Sequence, residues 1–158
     1  MNWTHEKLVR RMGMWLKNTK RMTVVITELR TRNTETPDVI GWIGGAWSTL
    51  IECKVSRADF KADAHKSFRY YAEQGMGDCR YMAAPVGLLE PDEMPEGWGL
   101  LEVGRVVKLR KEAEHFDSNK SNECVVLMSA LRRLELSTAV YVVHCAADLE
   151  TKESDDAT

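Results

Sequence analysis

Two strand-like segments flanking a glycine pair constrain this chain more than any other feature. Residues 37–43, PDVIGWI, and residues 46–56, AWSTLIECKVS, are rich in β-branched and aromatic residues and stand either side of Gly44-Gly45. A glycine pair supplies the backbone angles of a tight hairpin without steric cost, so the two segments are expected to pair as antiparallel neighbours. Pro37 opens the first, where its missing N–H does no harm. Side chains alternate faces along a strand, so Glu52 and Lys54 point one way and Ile51, Cys53 and Val55 the other. The hairpin brings Asp38 beside Glu52. Two carboxylates and an ammonium therefore gather at one edge of an otherwise apolar sheet, where charge is costly unless it is paired or holds a metal.

The rest of the chain supplies the elements around that hairpin. Leu8, Met12, Trp15 and Leu16 recur at helical spacing, which predicts a helix over 4–18 with Thr4 as N-cap. A strand follows at 23–29 (TVVITEL), then a polar loop over 30–36. Phe60, Ala64, Phe68 and Tyr71 share a helical face over 57–74, with Ser56 and Asp59 as caps and Gly75 as a stop. Residues 79–85 read as a strand and 87–98 as an acidic loop with one helical turn. Two short strands, 99–103 and 105–111, come next. Cys124, Leu127, Met128, Leu131 and Leu134 predict a helix over 122–136, and residues 138–148 fit helix or strand equally. A helix between two strands implies a crossover within a mixed sheet. The expectation is one α/β domain, a mixed β-sheet flanked by helices, over residues 1–148, with a polar tail at 149–158.

Bulk properties exclude several classes. No apolar run approaches the roughly 20 residues that span a bilayer, and the charged start does not resemble a signal peptide, so a cytoplasmic protein without membrane attachment is expected. Cys53, Cys79, Cys124 and Cys145 lack the spacing of a zinc site or disulfide framework, and reduced, mostly buried thiols are expected. His5, His65, His115 and His144 form no HxxxH or HExxH pair. Trp42, Trp47 and Trp98 read as packing residues. Phosphate-binding glycine loops are absent. The net charge of -2 is unusual for a protein that coats nucleic acid, but is compatible with one that holds it in a local cleft.

Chemically, Asp38 and Glu52 suit a hard divalent cation, Mg²⁺ or Mn²⁺, with the Cys53 carbonyl as a third oxygen. Such an ion polarises a phosphate and lowers the pKa of bound water. Lys54 would orient or deprotonate that water, or offset charge building on the phosphorane. The bland alternative is that Glu52 and Lys54 are solvated residues of an edge strand. Ser56, Arg57, Lys61, Lys66 and Arg69 gather at the following strand-to-helix junction, as a phosphate-contacting wall or an ordinary solvated face. Arg105, Lys108, Arg110 and Lys111 either widen that cleft or line an exposed strand.

The segments PDVIGW and STLIECKVSRADFKAD resemble the PD-(D/E)XK nuclease superfamily, whose fold is restriction-endonuclease-like. The extension VSRADFKAD and the downstream MAAPVGLLEPDEMPEGWGLLEV are similar to small phage and prophage proteins, the former also to bacterial DNA repair proteins of the mitomycin-resistance type. The resemblance covers about residues 4–104. It implies a Mg²⁺- or Mn²⁺-dependent nuclease acting on DNA, with Asp38, Glu52 and Lys54 as its motif residues, and it admits a homodimer. Many members add a glutamate from the first helix. Glu6 fits that role and Glu28 competes for it, while helix-dipole stabilisation explains Glu6 equally well. The alternatives are a catalytically inactive nuclease-like fold that binds nucleic acid or a protein partner, and a structural protein of a phage particle or replication complex.

Overall fold

The structure, a computed structural model, describes residues 2–33, 35–63 and 72–134 of the chain. It opens with helix α1 (His5–Asn18), whose N-cap Thr4 accepts a hydrogen bond from the Lys7 amide at 3.3 Å. Strands β1 (Val24–Thr27), β2 (Val39–Ile43) and β3 (Trp47–Cys53) follow as an antiparallel meander. Helix α2 (Arg57–Asp63) comes next, then a 3-10 turn at Ala72–Gln74 and strand β4 (Cys79–Pro85). A second 3-10 turn, Pro91–Glu93, precedes β5 (Gly99–Val103), β6 (Val107–Lys111) and helix α3 (Lys120–Arg133).

The six strands lie in sequence order in one mixed sheet. Strands β3, β4 and β5 run parallel, and the outer pairs are antiparallel. The expected α/β architecture, a mixed sheet flanked by helices, is the one observed. The connection from β3 to β4 includes α2, as parallel neighbours require a crossover. The β2–β3 register pairs Ile43 with Trp47, so three residues form the turn, with Gly45 and Ala46 both at positive φ.

Each face of the sheet carries its own apolar cluster. On one, Leu8, Val9, Met12 and Leu16 of α1 pack on Val39, Ile51, Cys53, Tyr81, Ala83, Leu101 and Val103. On the other, Ile40, Trp42, Leu50, Met82, Ala84 and Leu100 meet Met76, Leu89, Met94, Trp98 and Val126 of α3. The alternation along β3 (Leu50 one way, Ile51 and Cys53 the other) follows from the period-two geometry of a strand.

Helix α3 departs from the sequence reading. Its buried residues are Glu123 and Val126, while Met128, Leu131 and Leu134 are more than half exposed and Cys124 is exposed. Beyond Val126, which sits in the apolar cluster, the helix is docked by charge. Glu123 accepts from Trp42 Nε1 at 2.8 Å, Ser48 Oγ at 2.8 Å and the Gly77 amide at 3.0 Å. Lys120 Nζ reaches Asp78 at 2.6 Å and Glu123 at 3.2 Å. Gly77 sits at φ 89°, and a Cβ there would come within 2.6 Å of Leu50 Cβ, so no larger residue fits that approach. Among the described residues no helix is long and apolar enough to cross a membrane. Ala64, His65, Lys66, Phe68, Arg69 and Tyr71, and all of 138–148 and the 149–158 tail, lie outside the described residues.

Candidate active site

Register assembles the site. Thr27 pairs with Val39 and Val39 with Ile51 across β1, β2 and β3. One step further along stand Glu28, Asp38 and Glu52, so three carboxylate residues occupy adjacent positions across three strands. The ladder continues to this row, since the Glu28 amide donates to the Asp38 carbonyl at 3.0 Å. Like charges directly opposite one another destabilise a sheet, so such a row calls for counter-charge.

Lys54 and His5 meet it from its two ends. At the β3 end, Lys54 Nζ lies 3.3 Å from Glu52 and 3.0 Å from Asp63 of α2. All three are buried, at 2% exposure for Glu52, 3% for Lys54 and 2% for Asp63. Burial pulls the Lys54 ammonium towards neutrality, but the Glu52 and Asp63 carboxylates outweigh it and hold its pKa above the ordinary lysine range. Lys54 is therefore a fixed cation, suited to offsetting charge and unsuited to taking a proton from water. At the β1 end, His5 Nε2 of α1 lies 3.4 Å from Glu28 and 3.4 Å from Asp38.

Asp38 joins the two halves. Its Oδ2 accepts the Cys53 amide at 2.7 Å while Oδ1 faces His5. The structure thus brings the Cys53 N–H to Asp38, where the sequence reading looked to the Cys53 carbonyl as a metal ligand. The Cys53 side chain is fully buried on the α1 face. Burial pushes its thiol well above the ordinary range, the Asp38 and Glu52 charges add to this, and Lys54 opposes it. Asp38 thus meets the backbone between Glu52 and Lys54 through the Cys53 amide, while its other oxygen faces His5 and the Glu52 and Lys54 side chains pair with each other.

Other expectations fare differently. Glu6 is exposed on α1 and lies outside the cluster of His5, Glu28 and Asp38, whereas Glu28 stands in it. Register carries the β1 end to Asp38, and Glu6 and Glu28 both border a groove of about 360 Å³ between α1 and β1 with Arg10 and Lys17. Arg57 is engaged by Glu93, and donates to the Leu88 carbonyl at 2.8 Å. Ser56 Oγ caps α2 by accepting the Asp59 amide at 3.1 Å. Lys61 is exposed. Lys66 and Arg69 lie outside the described residues. Arg110 is bound to Glu102 at 2.8 Å, and Lys108 is exposed. Trp42 and Trp98 are buried as expected, while Trp47 is exposed and stacks on His115 with ring centroids 5.1 Å apart.

Three features escaped the sequence. Asp63 shares the Phe60 face of α2 at a spacing of three, an acid on an apolar stripe that could have signalled a buried partner. His5 carries no motif spacing. A cleft of about 550 Å³ lined by Arg30, Arg32, Arg132 and Arg133 draws on segments a hundred residues apart.

No family model matches the chain. No curated protein matches it. Among solved structures, it is similar to a protein of unknown function from Silicibacter pomeroyi, with 22% identity, a TM-score of 0.64, and coverage of 91% of this chain and 100% of that one. At that identity the likeness concerns the fold.

Proposed function

We propose that this protein is a divalent-metal-dependent nuclease of the PD-(D/E)XK type that hydrolyses phosphodiester bonds in DNA. One observation carries the reading: the row Glu28–Asp38–Glu52 across three strands, with a charged lysine two residues after the last acid. The element order helix, three antiparallel strands, helix, parallel strand, which the sequence patterning predicts, supports it by placing the acids on neighbouring strands. The donor set is mostly carboxylate oxygen, which fits a hard cation such as Mg²⁺ or Mn²⁺. Bound there, such an ion supplies Lewis acidity to a phosphate and a nucleophilic water at neutral pH.

The chain's own groups have distinct tasks. Asp38 and Glu52 provide the negative charge that holds the ion. Lys54, kept protonated by two carboxylates, offsets charge on the pentacoordinate phosphate. Asp63 positions Lys54. The arginine cleft and the exposed basic residues of α1 are the surfaces for the DNA backbone, in place of Arg57, which Glu93 already neutralises.

A second reading, a non-catalytic nuclease-like fold that binds nucleic acid or a protein, is favoured by one observation. Glu52 and Lys54 are buried, and Lys54 is held between Glu52 and Asp63. The test is a cleavage screen over duplex, single-stranded and branched DNA and RNA with Mg²⁺ or Mn²⁺. A double variant, Lys54→Gln with Asp63→Asn, keeps the net charge of the buried cluster while removing the cation. The nuclease reading expects cleavage by the parent and at least a hundredfold loss in the double variant. DNA binding without cleavage of any form, with or without metal, selects the second reading.

A further inference from the structure

Resting on the nuclease reading, we propose that His5, Glu28 and Asp38 form a site for a first-row transition-metal ion, an N,O,O site that selects Mn²⁺ over Mg²⁺. The three side chains come from the first turn of α1, the end of β1 and the start of β2, and offer donor atoms that all lie within 4.8 Å of one another. His5 Nε2 stands 3.4 Å from both Glu28 Oε1 and Asp38 Oδ1. That spacing exceeds the roughly 2.7–2.9 Å of a charge-assisted N–H···O bond. It matches the separation of neighbouring ligands around a small cation, since bonds of about 2.1 Å at tetrahedral to octahedral angles set donors about 3.0–3.4 Å apart.

The orientation of Asp38 is fixed in the manner of a ligand. Its Oδ2 is occupied by the Cys53 amide at 2.7 Å, which aims Oδ1 at His5 and Glu28. Ligating carboxylates are held by such secondary hydrogen bonds. The ligand side chains retain exposures of 40% for His5, 51% for Glu28 and 17% for Asp38, so solvent reaches the site. Three protein ligands with open positions suit an ion that must also take water and a phosphate oxygen. Two carboxylates and a neutral imidazole match a divalent charge. The imidazole sets the preference: nitrogen suits first-row transition ions, and Mg²⁺ keeps to oxygen. Asp38 belongs to both this cluster and the Glu52 row.

The experiment is calorimetric titration of the metal-free full-length protein with Mn²⁺ and separately with Mg²⁺. The parent is compared with His5→Gln and Glu28→Gln, and circular dichroism verifies that each variant is folded. Proton NMR of the parent follows the His5 ring as Mn²⁺ is added. Mn²⁺ is expected to broaden the His5 ring signals at substoichiometric amounts. Each variant is expected to weaken Mn²⁺ binding tenfold or more, with His5→Gln weakening Mg²⁺ binding less than threefold. Mn²⁺ affinity in folded His5→Gln equal to the parent's, or unbroadened His5 signals, overturns the site. The two readings fail separately. Loss of Mn²⁺ binding in His5→Gln with no cleavage by the parent retains the metal site and removes the nuclease. Metal-dependent cleavage by the parent, with unaltered Mn²⁺ binding in His5→Gln, does the reverse.

Discussion

At the scale of single residues, Lys54 is the position with most at stake. Its ammonium is the charge between Glu52 and Asp63, at 3.3 and 3.0 Å, in a place water scarcely reaches. Removing one partner from a buried ion pair costs about 3–5 kcal/mol, because the remaining charge is left uncompensated. Lys54→Ala should therefore lower stability by about that amount in urea unfolding, and Lys54→Gln with Asp63→Asn should recover only part of it, because Glu52 stays without its cation. The pH dependence follows from the raised lysine pKa. The stabilisation is full below the ordinary lysine value of about 10.4 and is lost as pH rises through the higher folded value. Alkaline unfolding curves of the parent should show this loss and those of the double variant should lack it. Cys53 makes the opposite point. Its thiol is pushed well up by burial and by Asp38 and Glu52, so the residue's importance here lies in its amide, and Cys53→Ala should retain the Asp38 hydrogen bond.

At the scale of elements, α3 shows what periodicity can and cannot say. The residues at 124, 127, 128, 131 and 134 do recur helically, and the helix is there at Lys120–Arg133, yet Met128, Leu131 and Leu134 face away from the sheet. What docks the helix is a polar network around Glu123, Asp78 and Lys120, which periodicity does not register because a satisfied buried acid looks like any other glutamate in a sequence. Glu123→Ala would strand the Trp42 indole N–H and the Gly77 amide, each worth about 1–3 kcal/mol when buried without an acceptor. Loss of α3 protection in hydrogen exchange, ahead of the sheet, is the expected readout. Asp78 lies in the same network. Burial works to raise its carboxyl, but hydrogen bonds from Lys120, Ser118 and the Ser48 amide prevail and hold it below the ordinary range. Its contribution is present above about pH 3.9 and is lost as pH falls through the lower folded value. Asp78→Asn should flatten the acid limb of the stability curve.

At the scale of the whole molecule, the sheet was legible because strands announce themselves by β-branched runs and turn residues. The segments 79–85 and 99–103 match β4 and β5 residue for residue. The hairpin of β2 and β3 was legible from Gly44-Gly45 and delivers Asp38, Glu52 and Lys54 to one neighbourhood. What the sequence could not reveal was contact across distant segments. Asp63 on Lys54, His5 beside Asp38, and Arg57 against Glu93 all depend on packing directions that no local pattern encodes. The arginine cleft is of the same kind, with Arg30 and Arg32 facing Arg132 and Arg133. If it carries the DNA backbone, replacing Arg32 and Arg132 by Ala should weaken binding of every sequence alike and reduce the salt-dependence slope by about 0.9 per lost phosphate contact.

The carboxylate row and its lysine are what the account stands on, and Asp38 is its shared member. The most direct measurement is the rate at which purified protein cuts DNA with Mn²⁺, for the parent and for Asp38→Asn. Asn keeps the shape and can still accept the Cys53 amide while removing the charge. Metal-dependent cleavage by the parent is expected, with a loss of at least a hundredfold in Asp38→Asn with the fold intact. Cleavage by folded Asp38→Asn at the parent's rate would contradict it.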